Sequence, residues 1–227
     1  MAHVRVRTVA IVPARAGSKG IPGKNRRRVA GRSLVEIAVD AAVQSRRCAT
    51  VVVTTDDPIS ARQARSRGAI VLQRPRRLAG PKATTPEVIE HALHQLRRGG
   101  QDFDRLVVLQ PTSPLRTASD VRNALRIHDQ QDGRNVISVV ALKGAQWSMR
   151  LRRDGRLVPL DPRSLRRRRQ DLQPLYVPNG ALYVIGTDRI GRGWFADAVG
   201  YVMPRERSID IDDHFDLRVA RALAPKK

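Results

Sequence analysis

Cysteine is nearly missing from this chain of 227 residues: Cys48 stands alone, which excludes an intramolecular disulfide and makes a reducing cytoplasm the expected setting. Aromatic residues make up only 4%, so the stacking platforms that hold single-stranded nucleic acid are scarce. Lysine is scarce too. Only six of the 43 basic residues are lysine, and the 37 arginines are scattered over every predicted element. The net charge of +22 favours weak, salt-sensitive adhesion to phosphate backbones, but a scatter of this kind builds no specific nucleic-acid interface. No apolar run is long enough to cross a bilayer, and residues 1–8 are short, basic and lead directly into a strand, so neither a membrane span nor a cleavable leader is expected. Repeats and low-complexity stretches are absent, and the length suits one domain over residues 1–227.

What is present begins at Val9. The run Val9–Val12 is short, apolar and partly β-branched, which reads as a buried parallel strand. The loop after it, PARAGSKGIPGKN, combines Gly17, Gly20 and Gly23 with Arg15, Lys19 and Lys24. Glycine lets backbone N–H groups converge on an anion, and a loop at the carboxyl end of a parallel strand is where open α/β sheets bind ligands. The loop has neither the Gly-Lys-Ser/Thr of a P-loop nor the GxGxxG of a dinucleotide fold. Nucleotide phosphates held without those motifs are the expected guest.

Strand and helix then alternate. Ser33 and Glu36 have capping-box spacing before a helix to about Arg46. Strands are expected at 49–54, 69–72, 106–110 and 136–142. Helices are expected at 59–67, at 86–98 with Thr85 as its cap, and from Thr117 to about Gln131. Asp56-Asp57-Pro58 reads as a turn and helix start. Residues 143–178 break the alternation with a hairpin around Asp154-Gly155 and the charge run 165–170, whose Arg166–Arg168 suit a solvated loop. Strands at 181–185 and 201–203 and a helix at 213–223 follow. The pattern predicts a three-layer Rossmann-like α/β fold with a mostly parallel sheet.

The loop resembles the first motif of the acylneuraminate cytidylyltransferases, the CMP-sialic acid synthetases. LQPTSPLR at 109–116, RQDLQPLYVPNGALY at 169–183 and SIDIDDHFD at 208–216 resemble three further motifs of that family, in the same order. The Lys24-Asn25 ending separates the loop from the related 3-deoxy-manno-octulosonate cytidylyltransferases. The resemblance implies transfer of CMP from CTP to an acidic nonulosonic sugar, with release of pyrophosphate, by a homodimer whose dimerisation arm is the 143–178 insertion. It implies nucleotide contacts from Ala14, Arg15, Ser18, Lys19, Lys24, Asn25, Arg74, Thr84 and Thr85, and acceptor contacts from Gln110, Arg169, Asn179 and Tyr183, with Trp194 and Phe195 as an aromatic pair supplied across the dimer to the partner's sugar pocket. Arg15 and Lys24, with Asp210 and Asp212, are the expected catalytic groups.

Asp210 and Asp212 are two apart, so in extended chain both carboxylates share a face. Hard oxygen ligands of this sort suit Mg²⁺, which the resemblance also implies; Asp212 and Asp213 can equally open the last helix. His91 and His94 fall within a helix, and no histidine base is evident. One departure stands out: where the family carries His-Pro, this chain has Lys143-Gly144-Ala145-Gln146-Trp147, and an inward-pointing Trp147 would reshape the acceptor pocket. A different acylated nonulosonate or a phosphonate acceptor is the alternative within the enzyme class. A basic nucleic-acid-binding module on the same fold is the alternative outside it.

Overall fold

The computed structural model describes residues 6–18 and 20–225. In chain order the elements are β1 (Thr8–Pro13), the short hairpin of β2 (Arg28–Val29) and β3 (Arg32–Ser33), α1 (Leu34–Ser45), β4 (Thr50–Thr55), α2 (Pro58–Arg65), β5 (Ile70–Gln73), α3 (Arg76–Ala79), α4 (Thr85–Arg98) and β6 (Arg105–Leu109). After these come α5 (Ala118–Gln130), β7 (Val136–Ala141), a hairpin of β8 (Met149–Leu151) and β9 (Leu157–Pro159), β10 (Tyr176–Gly186), β11 (Val199–Val202) and α6 (His214–Leu223). None of the described helices is long and apolar enough to cross a membrane.

Seven strands form one sheet in the order β11-β7-β10-β6-β1-β4-β5. Successive side chains of a strand point to opposite faces, and in β1 both faces are apolar. Ala10 and Val12 join Val35, Ala38 and Val39 of α1, Ala64 of α2 and Leu125 of α5 in one buried cluster. Val9 and Ile11 join Ile89, Leu93 and Leu96 of α4 in the other. Helices therefore cover both sides of the sheet, which explains why its central strands read as continuous apolar runs.

All neighbours pair in parallel except β10, which runs antiparallel to both β6 and β7. It is also longer than expected, because Pro178, Asn179 and Gly180 lie inside the strand at a register shift. Side chains bridge the gap there. Ser138 Oγ donates to Asn179 Oδ1 at 2.6 Å, Ala181 N donates to the same oxygen at 3.2 Å, and Leu182 N donates to Ser138 Oγ at 2.9 Å.

Caps set the helix starts. Ser33 with Glu36 and Thr117 with Asp120 form the expected capping boxes. Asp57 caps α2 through the backbone N–H groups of Ile59 and Ser60. The cap of α4 is Thr84 and not Thr85: its Oγ1 accepts from Glu87 N while Glu87 Oε2 accepts from Thr84 N. The sequence contains this Thr-x-x-Glu spacing, and the reciprocal pair of bonds outweighs the placing of proline at the first helical position. Asp120 also holds the far edge of the sheet, accepting from Tyr201 Oη and Arg207 Nη2 at 2.8 Å each. Burial pushes its carboxyl pKa up, and these donors, with the Thr117 backbone and hydroxyl, bring it below the ordinary value.

A third cluster, Ile21, Val29, Leu34, Ile37, Ile211, Leu217 and Ala220, packs α6 and the segment before it against the loop after β1. This packing brings the 208–212 carboxylates to the carboxyl edge of the sheet.

Candidate active site

The loop after β1 is braced at several points. Ala14 N donates to Thr54 O at 3.0 Å, Ala16 N donates to Asp56 Oδ1 at 2.8 Å, and Asn25 Nδ2 donates to Arg15 O at 2.9 Å. Gly20 makes the closest approach. A Cβ built there would stand 2.2 Å from the carbonyl oxygen of Asp212, so only glycine lets the loop lie on the 208–212 segment. Lys24 fastens the same two segments. Its Nζ donates to Ile211 O at 2.6 Å and pairs with Asp212 Oδ1 at 3.1 Å.

Beneath the loop is a cavity of about 490 Å³. Arg15, Ser18, Lys24 and Asn25 from the loop, Arg74 after β5, Thr84 and Thr85 at the start of α4, and Gln110 and Thr112 after β6 all line it, together with Asp212. Ala14 is buried in the core beside it, with its N–H already given to Thr54. Lys19 lies outside the described residues. Arg74 is buried and donates to Thr54 O at 2.9 Å. Burial lowers its pKa to about 10, Asp56 opposing and Arg15 adding to the fall, which leaves it cationic at neutral pH.

The two carboxylates have different surroundings. Asp212 is 83% exposed, and its backbone N–H is taken by Asp216 Oδ2 at 2.9 Å. The helix cap is Asp213, which accepts from Phe215 N and Asp216 N, so the side chain of Asp212 is left for the cavity and Lys24. Asp210 is half-buried, and its Oδ1 has no hydrogen-bond partner among the described residues. Burial raises its pKa, the Thr112 hydroxyl and then the Lys24 charge working against the rise and the Asp212 charge adding to it. Gly180, at φ +70°, leaves the room that Asp210 fills: a Cβ there would stand 2.9 Å from its Oδ2. No cluster of three or more metal-ligating side chains occurs among the described residues.

A second cavity, of about 460 Å³, shares Thr85 and Gln110 with the first. Tyr183, Trp194 and Phe195 form an aromatic wall, with ring centroids 5.5 Å apart for Tyr183 and Trp194 and 6.4 Å apart for Tyr183 and Phe195. Burial, and then the charge of Asp210, raise the pKa of the Tyr183 phenol. Asn179 lines neither cavity. Its side chain is buried in the network that patches β10, donating to Ser208 Oγ at 2.9 Å. Arg169 begins a short turn, Arg169–Asp171, and its side chain lies outside what is described. Trp147 does not point into either cavity: it donates from Nε1 to Ser164 O at 3.2 Å within the 143–178 insertion. Residues 143–147 therefore line neither of these two cavities.

Three contributors escape the sequence reading. Asp56, expected in a turn and helix start, anchors the loop after β1. Thr112, inside a recognised motif, lines the first cavity, and its carbonyl accepts from Ile211 N at 2.8 Å. Glu90 lines the second cavity; its only signal in the sequence was its position one turn after Pro86 on the same helix face.

Residues 9–150 match the family model described as Cytidylyltransferase. The chain is 31% identical to the N-acylneuraminate cytidylyltransferase of Escherichia coli O18:K1:H7 over 99% of its own length and 54% of that protein's. It is 32% identical to the CMP-N,N′-diacetyllegionaminic acid synthase of Legionella pneumophila, covering 96% of each chain. It thus spans about half the length of the N-acylneuraminate cytidylyltransferases from E. coli and Streptococcus agalactiae that it matches. Its fold is similar to that of a CMP:2-keto-3-deoxy-manno-octonic acid synthetase solved in complex with CTP, with a TM-score of 0.71 at 16% identity over 96% of this chain and 98% of that one.

Proposed function

Because the chain belongs to the cytidylyltransferase family, we propose that it transfers CMP from CTP to an acidic nonulosonic sugar. The observation that carries this reading is the pair of cavities joined at Gln110 and Thr85, one walled by Arg15, Lys24 and Arg74 and the other by three aromatic rings. A triphosphate suits the first and a sugar the second. At the junction the anomeric hydroxyl oxygen attacks the α-phosphorus. The bond from that phosphorus to the oxygen bridging to the β-phosphate breaks, pyrophosphate leaves with the electron pair, and the hydroxyl proton is released. Arg15 and Lys24 orient the triphosphate and offset the charge of the leaving group, so positioning and electrostatics carry the catalysis.

Asp210 and Asp212 suit Mg²⁺. The unpartnered buried oxygen of Asp210 and the exposed carboxylate of Asp212 form a hard oxygen donor set, and Mg²⁺ commonly takes one or two carboxylates with phosphate oxygens and water completing its shell. When bound, Mg²⁺ neutralises charge on the phosphates. A cytoplasmic setting fits a lone thiol.

The homodimer belongs to the same proposal. Leu151, Leu157 and Leu160 on and beside the β8–β9 hairpin are each more than 60% exposed, an apolar surface that a second copy would cover. Sedimentation should give twice the 25.3 kDa chain mass, and Leu151→Asp with Leu157→Asp should give a monomer. A wild-type monomer at micromolar concentration would reject the arm.

The reaction is tested by CTP-dependent pyrophosphate release with N-acetylneuraminate, N,N′-diacetyllegionaminate, pseudaminate, octulosonate and a phosphonate as acceptors. A nonulosonic acid should give the highest kcat/KM. If CTP binds but the phosphonate alone is turned over, the acceptor class is wrong.

A further inference from the structure

The second cavity has an unusual charge for this chain. Although the protein carries 43 basic residues, no lysine or arginine lines this cavity among the described residues, and its one ionised wall group is the carboxylate of Glu90. Glu90 is exposed on α4 and enters no ion pair or hydrogen bond with a described side chain. Glu87, one turn earlier, is by contrast held at Oε2 by both the backbone and the hydroxyl of Thr84. Tyr183, Trp194 and Phe195 line the same cavity.

A free carboxylate and aromatic rings in one cavity attract cations twice over, through charge and through the ring quadrupoles. It also repels the carboxylate of an acidic acceptor, turning that end away from Glu90 toward the junction of the two cavities at Gln110 and Thr85. The remote end of the acceptor is then left against Glu90. We propose that Glu90 is a specificity-determining residue that reads a positively charged nitrogen substituent, an amino or amidino group, on the acceptor end distant from the reacting hydroxyl. This rests on the cytidylyltransferase reading and adds the substituent class to it.

The test compares two acceptors of one nonulosonic skeleton, one bearing a free amino group and the other the same nitrogen acetylated, at saturating CTP, neutral pH and low salt. Wild-type protein should use the amino form about tenfold better, the size expected of one partly desolvated cation contact. Glu90→Gln should bring the ratio close to one and Glu90→Lys should invert it, with the KM for CTP unchanged in both. A wild-type preference for the acetylated form, or a ratio that Glu90→Lys leaves unaltered, overturns the assignment of Glu90 while the reaction itself stands. Protein that binds CTP yet turns over neither acceptor, nor N-acetylneuraminate, overturns the reaction and this assignment together.

Discussion

Replacing Lys24 by methionine should lower kcat/KM for CTP by about 10²- to 10³-fold, the usual cost of removing one preorganised charge-stabilising donor. Lys24 is the cation best placed for that role. Its side chain is only 12% exposed, and its ammonium is fixed between Ile211 O and Asp212 Oδ1 while facing the cavity. Methionine keeps the length and the apolar stem, so the change isolates the charge. Leaving Ile211 O without its donor should also cost about 1–3 kcal/mol of stability, so thermal unfolding must be measured beside the kinetics. Titration calorimetry with CTP in the presence of Mg²⁺ separates the two effects. A folded variant with unchanged CTP affinity and turnover would remove the loop from the phosphate site.

Asp210→Asn should abolish metal-dependent turnover, a loss of about 10³-fold if a bound metal supplies several kcal/mol of charge stabilisation. Stability should move the other way. Burial raises the pKa of Asp210, so the native state takes up its proton more readily than the unfolded chain. Its contribution to stability is full below the ordinary carboxylate range and is lost as pH climbs through the raised value. Asparagine has no such loss. Without metal at neutral pH, the variant should melt at the same temperature as wild type or higher. The deciding measurement is turnover as a function of Mg²⁺ concentration: a wild-type metal profile in Asp210→Asn would make the residue a packing group around Gly180.

The layers of the fold were legible because local signals agreed with one another. Val9–Val12, the Ser33–Glu36 box and the Thr117–Asp120 spacing each name one element, and the tertiary structure keeps all three. Misreadings arose where a side chain substitutes for backbone. Pro178-Asn179-Gly180 has the composition of a turn, yet Ser138 and Asn179 supply the missing ladder bonds and β10 runs straight through. Asn179 was expected to face the acceptor for the same reason: nothing in a single sequence shows that a distant serine claims its amide. Most of the residues expected at the nucleotide line the first cavity together, since they come from loops whose glycines and cations stand out in the sequence. The second was anticipated only through its aromatics and Gln110. Glu90 sits on a helix face, where a carboxylate resembles any solvated surface charge until the rest of the cavity is known.

The insertion of β10 between β6 and β7 also orders events during synthesis. β5, β4, β1 and β6 hydrogen-bond only among themselves and to β10, so four strands of the sheet can assemble once residue 109 has left the ribosome. β7 cannot join them. Its partners, β10 and β11, lie further along the chain, and the segment Val136–Ala141, VISVVA, carries no charge or proline to discourage pairing with another copy. Until about residue 186 is available, the nascent protein presents two open edges, the outer side of β6 and the whole of β7. This interval is the window in which the chain depends most on rapid elongation or on a chaperone.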